Sequence, residues 1–131
     1  MHTLLIADDD DFFRDYLTTK FSENSYLIDT AVDGADAYEH VKKQRPDIIL
    51  MDTYMPKMLG YESCAAIRKL PYGQEIVIIG MSSNPEMEKD WMKLDCGVRK
   101  PDCADFFISK RDIIKSFPLL EEKIVCLLER K

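Results

Sequence analysis

Leu4-Leu5-Ile6-Ala7 runs straight into Asp8 and Asp9, and Pro46-Asp47-Ile48-Ile49-Leu50-Met51 runs into Asp52. A short, unbroken apolar run suits a strand buried on both faces, as strands are in a parallel sheet covered by helices. Two such strands that both end in carboxylates bring acids to one edge of a sheet. That is the carboxyl edge, where open α/β sheets carry their sites.

The rest of the chain alternates in the same way. Asp10 to Ser22 places Phe13, Leu17 and Phe21 at i, i+4 and i+8, one apolar stripe of a helix. Tyr26 to Ala31 reads as a second strand. Asp33-Gly34 turns into a helix through Lys43 with Ala37 and Val41 on one face, and Pro46 marks the entry to the Asp52 strand. Gly60 opens a third helix through Leu70, which Pro71-Tyr72-Gly73 ends, and Glu75 to Met81 forms a fourth strand closing on Ser82-Ser83. Asn84-Pro85 supplies the cap and first turn of a helix expected to reach about Asp95. Asp105 to Ser109 reads as the fifth strand, ending at Lys110. The last helix is expected from near Pro118 to Arg130, with Leu120, Ile124 and Leu128 along one side. Five strands, each followed by a helix, imply a parallel sheet with helices on both faces, because right-handed crossovers lay each helix against the sheet.

At 131 residues, 46% of them hydrophobic, the chain has material for one core, and residues 1–131 read as a single domain. A formal net charge of -6 argues against direct nucleic-acid binding, which needs a basic face. No apolar run approaches a membrane span, and Met1-His2-Thr3-Leu4 lacks the features of a signal peptide, so the expected location is cytoplasmic. Cys64, Cys96, Cys103 and Cys126 form no C-x-x-C pair and read as thiols of a reducing compartment.

Asp8, Asp9, Asp52, Ser82 and Lys110 all fall at strand ends on the same edge. Clustered carboxylates repel one another, and an oxygen-seeking divalent cation, magnesium foremost, neutralises them. A carboxylate nucleophile, a hydroxyl, an ammonium and a magnesium ion together suit phosphoryl transfer to aspartate. Plain structural roles are open to most of these residues, but not readily to Asp52, since an acid directly after Ile49-Leu50-Met51 has no partner in its own segment. Asp9, Asp10 or Asp11 can cap the first helix, Ser82 can cap a strand end, and Lys110 can be a solvated lysine. Their joint placement is what points to chemistry.

Over essentially its whole length the chain resembles the receiver domain of bacterial two-component response regulators, the chemotaxis regulators among them. Leu5-Ile6-Ala7-Asp8-Asp9-Asp10 resembles the acidic opening motif. Pro46 to Asp52, with Met55-Pro56 and Gly60, resembles the phosphoacceptor strand and loop, and Asp33-Gly34 matches the entry to the second helix. The resemblance implies a flavodoxin-like, doubly wound α/β fold of five parallel strands in the order 2-1-3-4-5. By it, Asp52 would accept the phosphoryl group. Asp9 would bind Mg2+ directly, Asp8 would hold it through water, and the Tyr54 backbone carbonyl would add an oxygen. Ser82 and Lys110 would hold the phosphoryl group, and Ser82 and Phe107 would form the switch. Implied partners are a histidine kinase or phosphotransfer protein, a downstream output domain or protein, and a second copy of the phosphorylated chain. Neither a membrane nor direct nucleic-acid binding is implied.

The chain departs from the family pattern in several places. Lys-Pro usually follows the fifth strand, whereas here Lys110 precedes Arg111 and a Lys100-Pro101 pair stands earlier. Asp105 to Ser109 reads as a strand and Gly97 to Arg99 does not, which favours Lys110 and a trans Lys110-Arg111 peptide. Extra residues lie around 97 to 102, and the stretch from Arg111 to Phe117 is long. Lys57 and Leu59 stand where glycine and aspartate are common. Two other classes compete. A haloacid-dehalogenase-type phosphatase also places an aspartate after a hydrophobic strand, but wants a second aspartate where this chain has Tyr54. An unphosphorylated scaffold, or a flavin-binding protein of the same topology, would lack the complete acidic site or would need a phosphate-cradling loop after the first strand.

Overall fold

The computed structural model describes residues 1–92, 94–95, 98–99 and 104–130. Strand β1 (His2–Ala7) leads through α1 (Asp11–Ser22) to β2 (Tyr26–Ala31), then through α2 (Gly34–Gln44) to β3 (Ile48–Asp52). Helix α3 (Gly60–Arg68) and a 3-10 turn at Gly73–Glu75 lead to β4 (Val77–Ser82). After a 3-10 turn at Pro85–Met87 come α4 (Glu88–Met92), the two-residue strands β5 (Leu94–Asp95) and β6 (Val98–Arg99), β7 (Phe106–Ser109), α5 (Lys110–Lys115) and α6 (Phe117–Glu129).

The main sheet is parallel throughout, in the order β2-β1-β3-β4-β7, which is the expected 2-1-3-4-5 with β7 as the fifth strand. Successive residues of each strand face opposite sides. Leu4, Ile6, Leu50, Ile79 and Ile108 therefore pack with Phe13, Leu17 and Phe21 of α1 and Leu120 and Ile124 of α6. Leu5, Ala7, Ile49, Met51 and Ile78 pack with Ala37 and Val41 of α2, Ile67 of α3 and Trp91 of α4. Full burial of each large aliphatic side chain contributes about 1.5–3 kcal/mol, so the double-sided core fixes the register of every central strand. The helix starts follow from local chemistry: Asp10 accepts a hydrogen bond from the Phe12 N–H (3.0 Å) and Asp33 one from the Asp36 N–H (2.7 Å).

Three sequence expectations need correction. The helix expected to reach Asp95 ends at Met92, because the Trp91 carbonyl accepts a hydrogen bond from the Ala104 N–H (2.9 Å) as the chain returns to the sheet. Val98–Arg99, not expected to be a strand, pairs antiparallel with Leu94–Asp95. This ribbon stands outside the main sheet and leaves β7 as its fifth strand. The stretch after Lys110 holds a separate helix, α5, capped by the Ser109 hydroxyl, which accepts from the Asp112 N–H (3.2 Å). It buries Ile113 before Ser116 breaks the helix. On α6 the buried stripe ends at Leu127, with Leu128 partly covered. Cys96, Cys103, Lys100 and the side chains of the 97 to 102 segment lie outside the described residues. Of the described residues, none has a cis peptide, Lys110-Arg111 included, and no helix is long and apolar enough to cross a membrane.

Candidate functional site

The carboxyl edge of the sheet gathers the strand-end residues into one cluster. Asp8 and Asp9 follow β1, Asp52 ends β3, Ser82 ends β4, and Lys110 opens α5 directly after β7. Carboxylate oxygens of Asp8, Asp9 and Asp52 lie within 4.8 Å of one another. Asp8 is fully buried, Asp52 is 6% exposed, and Asp9 reaches solvent. The Lys110 ammonium stands 2.9 Å from Asp8 Oδ2 and 3.3 Å from Asp52 Oδ1. Among the described residues, Lys110 is therefore the lysine that pairs with both buried acids.

The surroundings hold these groups in place. Asp8 Oδ1 accepts the Asp10 N–H (2.9 Å), and the Arg14 guanidinium donates to the Asp8 backbone carbonyl (2.6 Å). Asp52 Oδ1 accepts the Thr53 N–H (2.9 Å). The Phe13 ring lies 4.6 Å from the Lys110 ammonium, a cation–π contact that keeps the lysine over the cluster. Ser82 is buried and its hydroxyl accepts the Asn84 N–H (3.0 Å). Tyr54 is exposed, its hydroxyl directed at Met87 Sδ (3.1 Å). Phe107 is buried in the same apolar cluster as Met87 and Trp91, paired in register with Gly80.

Among the described residues, one ammonium stands among three acids, which leaves the cluster short of positive charge. Burial, followed by the charge of Asp8, pushes the Asp52 carboxyl from 3.8 up to about 7, although Lys110 pulls the other way. Burial alone would lower the Lys110 ammonium. The hydrogen bond to Asp8 and the charges of Asp52 and Asp8 outweigh it, and the net shift is upward. Asp8 Oδ2 is buried and faces the Lys110 ammonium at 2.9 Å. An all-oxygen donor set with surplus negative charge fits a hard divalent cation.

A family model described as the response regulator receiver domain matches residues 4–100. The chain belongs to the response regulator receiver family. Receiver domains are signalling domains rather than catalytic enzymes. Response regulator MprA of Mycobacterium ulcerans is 31% identical to this receiver over 94 residues, which cover 72% of the chain and 40% of that protein. The chain thus spans about 40% of the length of the curated relatives it matches. In structure, the receiver is similar to TrrA of Thermotoga maritima, a response regulator solved in complex with Mg2+-BeF. The two share 27% identity at a TM-score of 0.80, over 98% of this chain and all of that one. It is also similar to the receiver domain of a signal transduction histidine kinase from Syntrophus aciditrophicus, 27% identical at a TM-score of 0.79, covering 98% and 91% of the two chains.

The structure brings together Asp8, Asp9, Asp52 and Lys110 among the residues singled out from sequence, with Ser82 on the adjoining strand end. Sequence reasoning missed Phe13, which was assigned to the core stripe alone, and Arg14, which fastens the backbone of Asp8. It also missed Thr53 and Trp91. The Trp91 indole N–H donates to Thr53 Oγ1 (2.7 Å), and that hydroxyl donates to the Met81 carbonyl (2.7 Å). The only sequence signals for this pair are a hydroxyl residue directly after the acid and the chain's single tryptophan.

Proposed function

We propose that this receiver is a phosphoacceptor switch in which Asp52 takes a phosphoryl group from the phosphohistidine of a histidine kinase or phosphotransfer protein. The observation that carries the reading is the Asp52 carboxylate at the end of a buried strand, 3.3 Å from the Lys110 ammonium and crowded by two further acids. An Asp52 oxygen attacks phosphorus, the donor's phosphorus–nitrogen bond breaks, and the imidazole leaves with its electron pair. The ammonium of Lys110 and the hydroxyl of Ser82 hold the transferred oxygens. Asp9, Asp52 and the Tyr54 backbone carbonyl would hold Mg2+, with Asp8 helping through water. Bound there, the ion supplies the positive charge that offsets the phosphoryl oxygens and keeps Asp52 ionised.

Phosphorylation adds nearly two negative charges at the sheet edge. Ser82 moves toward them, Phe107 follows inward, and the face of α4, β7 and α6 changes shape. That face is the one offered to an output domain or protein, or to a second phosphorylated copy. Residues 1–131 act as one receiver unit, a reading supported by structural likeness over 98% of the chain. The setting is cytoplasmic, where such kinases present their phosphohistidine. A phosphatase reading is not favoured, since Tyr54 stands where an acid is needed and its hydroxyl is directed at Met87. Acetyl phosphate with Mg2+ should add one phosphoryl group to the wild type and none to Asp52→Asn by intact mass. Equal labelling of both would place the acceptor elsewhere.

A further inference from the structure

Thr53 joins three elements that the phosphoryl chemistry above treats separately. Its N–H donates to Asp52 Oδ1 (2.9 Å), its hydroxyl donates to the Met81 carbonyl (2.7 Å), and the same oxygen accepts the Trp91 indole N–H (2.7 Å). Met81 immediately precedes Ser82, so one residue touches the acceptor Asp52 through its N–H, and the strand that ends in Ser82 and helix α4 through its hydroxyl. Thr53 and Trp91 are both 0% exposed.

Trp91 is the buried side chain of α4. Its ring lies against the bare backbones of Gly80 and Gly60, where an added Cβ would stand 2.2 Å and 2.7 Å from the indole. Tyr61 packs edge-on at 6.4 Å. The ring is thus confined between β4 and the start of α3, with its polar tip fastened to Thr53. Neither the buried indole N–H nor the buried hydroxyl can lose its partner cheaply, so the two groups move together or exchange partners together.

We propose that the Trp91–Thr53 hydrogen bond is a mechanical link through which the state of Asp52 sets the position of α4. The inference rests on the acceptor reading of Asp52. Conversion of the carboxylate to an acyl phosphate weakens Oδ1 as an acceptor and offers the Thr53 N–H the charged phosphoryl oxygens instead. Turning that N–H rotates the peptide between Asp52 and Thr53 and displaces the hydroxyl that anchors Trp91. A shift of Ser82 toward the phosphoryl group acts on the same hydroxyl through the Met81 carbonyl. Both strand ends therefore converge on α4 through one oxygen.

The chain's single tryptophan yields one indole N–H resonance. We would follow it, with the amides of residues 88–92, during titration with Mg2+ and beryllofluoride, while 19F NMR measures beryllofluoride binding independently. In the wild type the indole resonance should move on binding. Thr53→Val keeps the shape and the backbone N–H but lacks the hydroxyl. It should bind beryllofluoride yet lose most of the response at Trp91 and α4, and Thr53→Ser should restore it. If Thr53→Val does not fold, Trp91→Phe removes the donor instead and is read at the α4 amides. Binding with an unmoved indole resonance, or an undiminished α4 response in Thr53→Val or Trp91→Phe, overturns the link alone. No beryllofluoride binding by the wild type overturns the acceptor reading and the link with it.

Discussion

Asp52→Asn should make the metal-free protein more stable, and the gain should depend on pH in a particular direction. The folded carboxyl is pushed from 3.8 to about 7, by burial first and by Asp8 second. Below the lower value both folded and unfolded chains carry a neutral group, and it costs nothing. Between the two values the unfolded chain ionises while the folded chain keeps its proton, so stability falls as pH rises. Above about 7 the loss is complete, at about 4 kcal/mol on a scale of about 1.4 kcal/mol per tenfold change in proton affinity. Asparagine keeps an oxygen for the Thr53 N–H, carries no charge, and leaves Lys110 paired with Asp8. Urea unfolding in chelator at about pH 8 should show the variant more stable by about 2–4 kcal/mol, and the gap should narrow toward about pH 5. Added Mg2+ should stabilise the wild type and close much of the gap at the higher pH. A variant no more stable than the wild type at about pH 8, or a gap indifferent to pH, would refute the claim that uncompensated charge raises Asp52.

Two other outcomes test neighbouring features. By calorimetry, Asp9→Ala should weaken Mg2+ binding more than Asp8→Ala, since a residue acting through water is worth about 10–100-fold and a direct ligand more; the reverse order would exchange their roles. Lys57 is held at φ 71°, in the left-handed region that glycine occupies without strain, and its ion pair with Asp33 is long and solvated at 3.7 Å. Lys57→Gly should therefore raise stability by about 0.5–1 kcal/mol in thermal unfolding, and a loss would mean that the loop depends on the lysine side chain.

The sheet-edge placement of Asp8, Asp52 and Lys110 was legible because each follows a short apolar run that reads as a strand. The choice of Lys110 over Lys100 rests on the strand pattern of Asp105 to Ser109. A strand such as Ile48–Asp52, buried on both faces, cannot place its terminal acid anywhere but the sheet edge. Capping chemistry made α1 and α2 equally plain through Asp10 and Asp33. What escaped was decided by contacts between distant segments. Helix α4 stops where it does because Ala104 takes the Trp91 carbonyl, a bond that no local pattern around residue 91 announces. The β5–β6 ribbon is two residues deep on each side, below the length at which strand periodicity can register. Helix α5 was signalled by Ser109 and Asp112 at cap spacing, but six residues with one buried aliphatic carry too short a stripe to read. The Thr53–Trp91 bond spans 38 positions, and on either side the sequence shows only a residue suited to the core.

Parallel pairing in the order β2-β1-β3-β4-β7 gives the charge centre an unusual dependence on time. Asp8 follows β1 and is synthesised well before its counter-ion Lys110, which stands directly after β7, the last strand of the main sheet in chain order. Until β7 docks beside β4, the two buried acids share an edge without their ammonium, and the nascent sheet carries its heaviest electrostatic strain. Docking of the final strand thus gains more than apolar contact. A newly made chain should become competent as an acceptor only as its folding reaches completion, so that incomplete molecules stay silent toward whatever signal the finished one receives.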